Sequence, residues 1–106
     1  MEKDVLFKDN GGELVARILG DIDHHTAKRQ REAIDAELFK RKPARLVLDF
    51  SEVEFMDSSG IALIIGRSEV CAGLGIGISL SGLSGMQKKL IRLSGVEKIK
   101  NVVVLQ

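Results

Sequence analysis

The feature that most constrains the fold of this chain is the alternation of β-type runs with helical segments. Two short β-type runs come first, and Asn10-Gly11, a dipeptide typical of tight hairpins, joins them. After them, each pair of consecutive strands is separated by a segment with room for a helix, and such connections join parallel strands. The sequence therefore predicts an α/β fold of order ββαβαβαβ, in which helices pack on a mostly parallel sheet with one antiparallel strand at its start.

The predicted strands cover residues 5–8, 13–19, 45–50, 78–81 and 102–105, and the first two helices cover about 24–41 and 59–72. Asp23 is expected to cap the first helix, and Ser84 the third, which ends at Gly95. The run 45–50 is typical of a central strand buried on both sides. The residues of the third helix expected to face inward are Met86, Leu90, Ile91 and Leu93.

The first turns of the second helix are apolar on every side. Five consecutive apolar residues occupy positions 61–65, whereas a surface helix normally keeps one face polar. Two explanations remain open at this point: another element covers these turns, or they form a patch to which a partner binds.

The bulk composition favours a small cytoplasmic domain spanning residues 1–106. The net charge is +1 and the four aromatic residues are all Phe, so neither a nucleic acid nor a membrane is an expected partner. The charged N-terminus argues against a signal peptide, and the single cysteine, Cys71, excludes an internal disulfide.

The motifs of common enzyme classes are missing from the sequence. There is no P-loop, no dinucleotide-binding fingerprint and no Gly-x-Ser-x-Gly elbow around Ser58 or Ser59. His24 and His25 would diverge by about 100° on a helix, and no third ligand stands at useful spacing. We therefore expect no catalytic residue, no metal site and no cofactor in this chain.

The turn Asp57-Ser58-Ser59-Gly60 stands where the second helix should begin. One interpretation is structural, because Ser and Asp are common helix caps and glycine permits close packing. The other makes one hydroxyl a target of covalent chemistry, because a helix start is a favourable place for an anion. The residues of the turn alone leave both open.

Two segments together resemble a known family. The residues from Phe55 to Ile61 (Phe-Met-Asp-Ser-Ser-Gly-Ile), with those from Gly20 to Thr26 (Gly-Asp-Ile-Asp-His-His-Thr), are similar to the STAS-domain anti-sigma-factor antagonists of the sporulation type. The resemblance covers nearly the whole chain. It implies a non-enzymatic regulator that binds an anti-sigma factor when unmodified. Related domains usually carry a further C-terminal helix, whereas this sequence ends at Gln106.

The resemblance also implies the partners and the site. The partners are an anti-sigma-factor serine kinase, which supplies its own ATP and Mg²⁺, and a phosphatase that removes the phosphate again. Phosphorylation is expected on Ser58, with Ser59 capping the helix. The residues expected to contact the kinase are Asp23, His24, Asp57, Ser59, Gly60, Ile61 and Leu63.

Three other functions remain as alternatives. The first is a STAS module of another partner-switching or stress-signalling scaffold. The second is a small nucleotide-binding domain, and the third is a hydrolase acting through Ser58.

Overall fold

The computed structural model describes residues 4–105, so residues 1–3 and 106 of the predicted domain lie outside the described part. The strands are β1 (Val5–Asn10), β2 (Glu13–Ile18), β3 (Arg45–Asp49), β4 (Gly77–Ser81) and β5 (Val102–Val104). The helices are α1 (Ala27–Arg41), α2 (Ser58–Gly73) and α3 (Gly85–Ser94), and a 3₁₀ turn at Val96–Lys98 precedes β5. The predicted order ββαβαβαβ is confirmed. None of the described helices is both long and apolar enough to cross a membrane.

The strands form one sheet in the order β1-β2-β3-β4-β5. Strand β1 is antiparallel to β2, and the other neighbours are parallel, as predicted. The hairpin closes through Gly11 and Gly12, both at positive φ, which glycine adopts without steric cost. Because side chains alternate between the two faces of a strand, this register aligns rows of apolar residues across the sheet.

The hydrophobic core lies on one face of the sheet. Leu14, Leu46 and Ile78 are register neighbours across β2, β3 and β4, and all three belong to the buried cluster. The helices add Ile34 and Leu38 from α1, Leu63 and Ile64 from α2, and Ile91 from α3 to the same cluster. All three helices therefore pack on this face.

The other face of the sheet carries the side chains of Arg17 and Arg45. Val47, in the middle of β3, points to this face and is buried there. Arg45 donates a hydrogen bond to Ser79 Oγ at 3.0 Å, and Arg17 pairs with Asp49 at 3.0 Å. The prediction that β3 is buried on both sides is confirmed, because Val47 is buried on this face and Leu46 and Leu48 are buried on the other.

The predicted inward face of α3 is wrong in part. Met86 and Leu93 are 85% and 76% exposed, whereas Gln87 and Ile91 are buried. Residues four apart share one face of a helix, so Gln87 and Ile91 mark the inward side. Gln87 can face inward because its Nε2 donates to the carbonyl oxygen of Val53 at 2.8 Å.

Candidate functional site

Two loops meet at the carboxyl edge of the sheet, where parallel folds place their sites. One loop follows β2 and the other follows β3. The amide of Ile22 donates to the carbonyl of Phe55 at 3.0 Å, and the amide of Asp57 donates back to the carbonyl of Ile22 at 3.2 Å. This short bridge holds the start of α2 beside the loop that leads into α1.

Helix α2 begins with a carboxylate cap. Asp57 is the N-cap, and its Oδ1 accepts a hydrogen bond from the amide of Ser59 at 2.7 Å. Ser58 is the first helical residue and is exposed, while Ser59 is half-buried. The prediction that Ser59 caps the helix is therefore wrong, because the side chain of Asp57 already stands at the position from which an oxygen reaches the free amide.

Gly60 is buried because Met56 lies against it. A Cβ built on Gly60 would be 2.2 Å from Met56 Cγ, which is too close for two carbon atoms that are not bonded to each other. Met56 belongs to the bridge that joins the two loops. The glycine therefore supports the site by letting Met56 close over it, and its own surface is hidden.

The apolar stretch 61–65 divides between the two explanations left open by the sequence. Leu63 is 3% exposed and Ile64 is fully buried, so the core covers these two residues. Ile65 is 38% exposed, Ala62 is exposed and Ile61 is half-buried. One side of α2 therefore remains available for a partner, but Leu63 has too little free surface to serve as a main contact.

Helix α1 begins later than predicted, at Ala27 instead of His24. Asp23 does not cap the helix itself. Its Oδ1 accepts from the amides of His25 at 2.8 Å and Thr26 at 3.0 Å, which closes a turn in front of the helix. The hydrogen bond from Thr26, followed by that from His25, holds the pKa of the Asp23 carboxyl below its ordinary value.

His24 and His25 lie in this turn and do not diverge as expected. Their ring centroids are 3.9 Å apart, because a turn does not impose the 100° separation of a helix. Within residues 4–105, no three His, Cys, Asp or Glu side chains are placed to hold a metal ion.

Two buried glutamines, which the sequence analysis did not identify, donate hydrogen bonds to the loops that follow β2 and β3. Gln30 Nε2 donates to the carbonyl of Asp21 at 2.9 Å, and Gln87 makes the bond to Val53 described above. Both had a sequence signal. Gln30 lies one helical turn before Ile34 on the apolar stripe of α1, and Ser84-Gly85-Met86-Gln87 is a capping-box pattern.

A buried ion pair between α1 and α2 was also missed. Arg67 is 4% exposed, and its Nε lies 2.7 Å from Oδ1 of Asp35. Burial lowers the pKa of Arg67 and raises that of Asp35, and the attraction between the two charges opposes both shifts. Arg67 lies on the inward stripe of α2 between Leu63 and Cys71, and burial also raises the pKa of the Cys71 thiol to about 11.

The structure thus brings most of the predicted site residues to one edge of the molecule. Asp23, Asp57 and Ser58 lie on the two bridged loops and the helix start that follows them. His24 and Ser59 line the same groove between α1 and α2. Gly60 and Leu63 lie beneath this surface.

Two curated relatives that are similar in sequence to this chain are anti-sigma factor antagonists. The anti-sigma-F factor antagonist RsfB of Mycobacterium tuberculosis is 33% identical over 94 residues, which are 89% of this chain and 75% of that protein. An anti-sigma F factor antagonist of Paenibacillus polymyxa is 29% identical over 99 residues, covering 93% of this chain and 85% of the relative.

Solved structures share the fold. The anti-sigma factor antagonist SpoIIAA in its unphosphorylated form superposes with a TM-score of 0.73 at 21% identity, over 96% of this chain and 87% of that one. SpoIIAA of Bacillus in the phosphorylated form superposes with a TM-score of 0.67 at 22% identity, over 96% and 91%. The family described as STAS domain matches residues 4–103. This match confirms the resemblance read from the two loop segments, and the chain belongs to the STAS domain family.

Proposed function

We propose that this protein is an anti-sigma-factor antagonist switched by phosphorylation of Ser58. The unphosphorylated form binds, in the bacterial cytoplasm, an anti-sigma factor that is also a serine kinase, and so frees the sigma factor. Phosphorylation abolishes this binding, and a separate serine phosphatase restores the unmodified form. The observation that carries the proposal is that Ser58 is exposed at the start of α2 while Asp57 caps the helix.

The names of the relatives support the class of function. Two curated relatives are antagonists of anti-sigma F factors, and a structure of this fold exists in a phosphorylated form. These are properties of those proteins. Their bearing on this chain depends on whether its own surface suits the same chemistry.

The surface around Ser58 suits docking in its unmodified state. The exposed Ala62 and the partly exposed Ile61 and Ile65 provide apolar contact area on α2. Asp23 and His24 flank them from the neighbouring loop, so polar groups border the apolar area. Such a surface, apolar at its centre and polar at its edge, is typical of protein interfaces.

Ser58 is a better acceptor than Ser59. Its side chain is exposed, and a phosphate there would lie at the positive end of α2. The helix dipole would stabilise the phosphate by about 0.3–1 kcal/mol. Ser59 is half-buried, its amide is bonded to Asp57, and it faces the space next to His24. A kinase would reach Ser58 without moving either helix.

Phosphate on Ser58 would act in the complex and leave the fold intact. It adds about −1.5 to −2 charges at pH 7, next to the carboxylate of Asp57. Leaving such a charge unpaired in an interface costs roughly 2–5 kcal/mol, which exceeds the favourable term from the helix dipole. Electrostatic repulsion therefore releases the kinase without unfolding this domain.

The test is phosphorylation by a candidate anti-sigma kinase from the same organism. We expect purified kinase with ATP and Mg²⁺ to modify the wild type and the Ser59→Ala variant but not Ser58→Ala. Peptide mass spectrometry should find the phosphate on Ser58. Phosphate on Ser59 with Ser58 unmodified would overturn the site, and absence of both binding and phosphorylation would overturn the function.

A further inference from the structure

A groove between α1 and α2 lies directly beside the proposed switch. Its volume is about 420 Å³, enough for one or two side chains of a partner. The small residues Ala27, Ala62 and Gly66 line it and leave room between the helices. His24 and Ser59 line its end near Ser58.

Within residues 4–105, the charged residues that line the groove are all basic, and Asp35 lies next to one of them, Arg67. The basic residues are His24, Lys28, Arg31 and Arg67. Lys28 has only a loose, exposed pair with Glu32 at 3.9 Å, and such pairs contribute little. The chain as a whole is almost neutral, at +1, so this concentration of positive charge is local.

Arg67 adds a buried cation, which is paired with Asp35 at 2.7 Å. Although Asp35 lies close to it, neither Nε nor Nη1 makes a hydrogen bond of suitable direction within residues 4–105. Asp35 offsets part of the charge of Arg67, so the exposed Lys28 and Arg31 provide most of the attraction for an acidic group that enters the groove.

We propose that this groove receives an acidic side chain of the anti-sigma kinase, which pairs with Lys28 and Arg31 above the buried Arg67. The inference rests on the proposed function and adds the chemistry of one contact. A protein partner fits because His24 and Ser59 belong both to the groove and to the surface around Ser58, so a protein that covers one reaches the other. The occupant is acidic because Lys28, Arg31 and Arg67 give the lining a positive charge.

The test compares two double variants with the same change in net charge. Lys28→Gln with Arg31→Gln removes two cations from the groove. Lys40→Gln with Arg92→Gln removes one exposed lysine and one exposed arginine elsewhere. Affinity for the purified kinase is measured by calorimetry at several salt concentrations, and melting curves show that each variant folds.

We expect the groove variant to bind about tenfold more weakly at low salt, as when a charge pair across an interface is lost. Its affinity should also depend less on salt than that of the wild type. The control variant should stay within roughly twofold of the wild type, as for exposed charges outside the contact.

Other outcomes overturn the proposal in distinguishable ways. An equal loss of affinity in both variants would mean that the two proteins attract each other only through their overall charge. No loss of affinity in either variant would mean that the kinase does not use the groove. If kinase binding is unaffected but inorganic phosphate shifts the amide resonances of the groove, a free anion is the occupant. Failure of the wild type to bind any anti-sigma kinase would instead overturn the function and this inference with it.

Discussion

The starts of α2 and α3 resemble each other in sequence but use their serines in opposite ways. At α3, Ser84 Oγ accepts from the amide of Gln87 at 3.1 Å, and Gln87 Oε1 accepts from the amide of Ser84 at 2.9 Å. At α2, the carboxylate of Asp57 is the acceptor, and Ser58 follows it as the first helical residue. A serine that caps a helix keeps its oxygen occupied, whereas a serine behind a capping carboxylate is available for modification.

The difference explains why one helix start can act as a switch and the other cannot. Adding a phosphate to Ser84 would remove the cap of α3, because the hydroxyl oxygen is the acceptor. Adding one to Ser58 leaves the bond between Asp57 and Ser59 in place. Substitutions at the two helix starts can test this contrast.

The strongest test places the same charge at both helix starts. Ser58→Asp should weaken binding to the anti-sigma kinase by 2–5 kcal/mol, or about 30-fold to several thousandfold, because the charge is left unpaired in the interface. Ser84→Asp should bind like the wild type and keep α3 capped, since Asp caps as well as Ser. Calorimetry measures both, and full affinity of Ser58→Asp would contradict switching by repulsion.

Gln87→Ala should be the most destabilising change at the start of α3. It removes the partner of the buried Val53 carbonyl and half of the capping box, so we expect a loss of about 1–3 kcal/mol in the free energy of unfolding. Chemical denaturation measures the loss. Lys89→Ala, at an exposed site on the same helix, should change stability by less than about 0.5 kcal/mol.

The capping side chains of Asp57 and Ser84 should each contribute about 1 kcal/mol to the free energy of unfolding. Asp57→Ala and Ser84→Ala should therefore lower stability by similar amounts in urea titrations. Asp57→Ser should recover most of the loss, because serine is an equally good cap. If Asp57→Ala were harmless and Ser59→Ala destabilising, the cap of α2 would be the serine after all.

Asp23 provides a pH-dependent test at the start of α1. Its carboxyl should titrate below the ordinary value of 3.8 in an NMR titration, because it accepts bonds from the amides of Thr26 and His25. A lowered pKa means that the carboxylate stabilises the fold at pH values above 3.8, and that this contribution is lost as the pH falls through the lowered value. Asp23→Asn should show a weaker loss of stability between neutral and acidic pH, and an unchanged loss would argue against this role.

The smallest effect is expected from Ser58→Ala. Because Ser58 does not cap α2, its removal should change the free energy of unfolding by less than about 0.5 kcal/mol. The variant should bind the kinase but accept no phosphate. A large loss of stability would mean that the hydroxyl has a structural role and that the contrast with Ser84 is false.

The sequence correctly predicted the order of strands and helices along the chain and a mostly parallel sheet with one antiparallel strand, but it was less successful at helix starts. The first helix was placed at His24 because an aspartate precedes it, yet that aspartate closes a separate turn. Ser59 was given the cap that Asp57 provides. Both errors have one cause: several adjacent residues can supply a capping oxygen, and backbone angles choose among them.

Side-chain burial was predicted correctly only where apolar residues face the core and polar residues face the solvent. Met86 and Leu93 were expected inside because they are apolar, and Gln87 was overlooked because it is polar. The Val53 carbonyl, 34 residues away in the chain, makes the inward position of Gln87 favourable. Arg67 was overlooked because it is charged and because its partner, Asp35, lies on another helix.

The alternation of strands and helices, the single core and the position of Ser58 near a helix start could all be predicted from the sequence. These follow from hydrophobic periods and turn residues, which act between near neighbours in the chain. The tertiary structure alone decided which oxygen caps α2, which of residues 61–65 stay exposed, and how Gln30, Gln87 and Arg67 are paired. Those outcomes depend on contacts between segments distant in sequence, and a pattern of near neighbours carries no information about the geometry of such contacts.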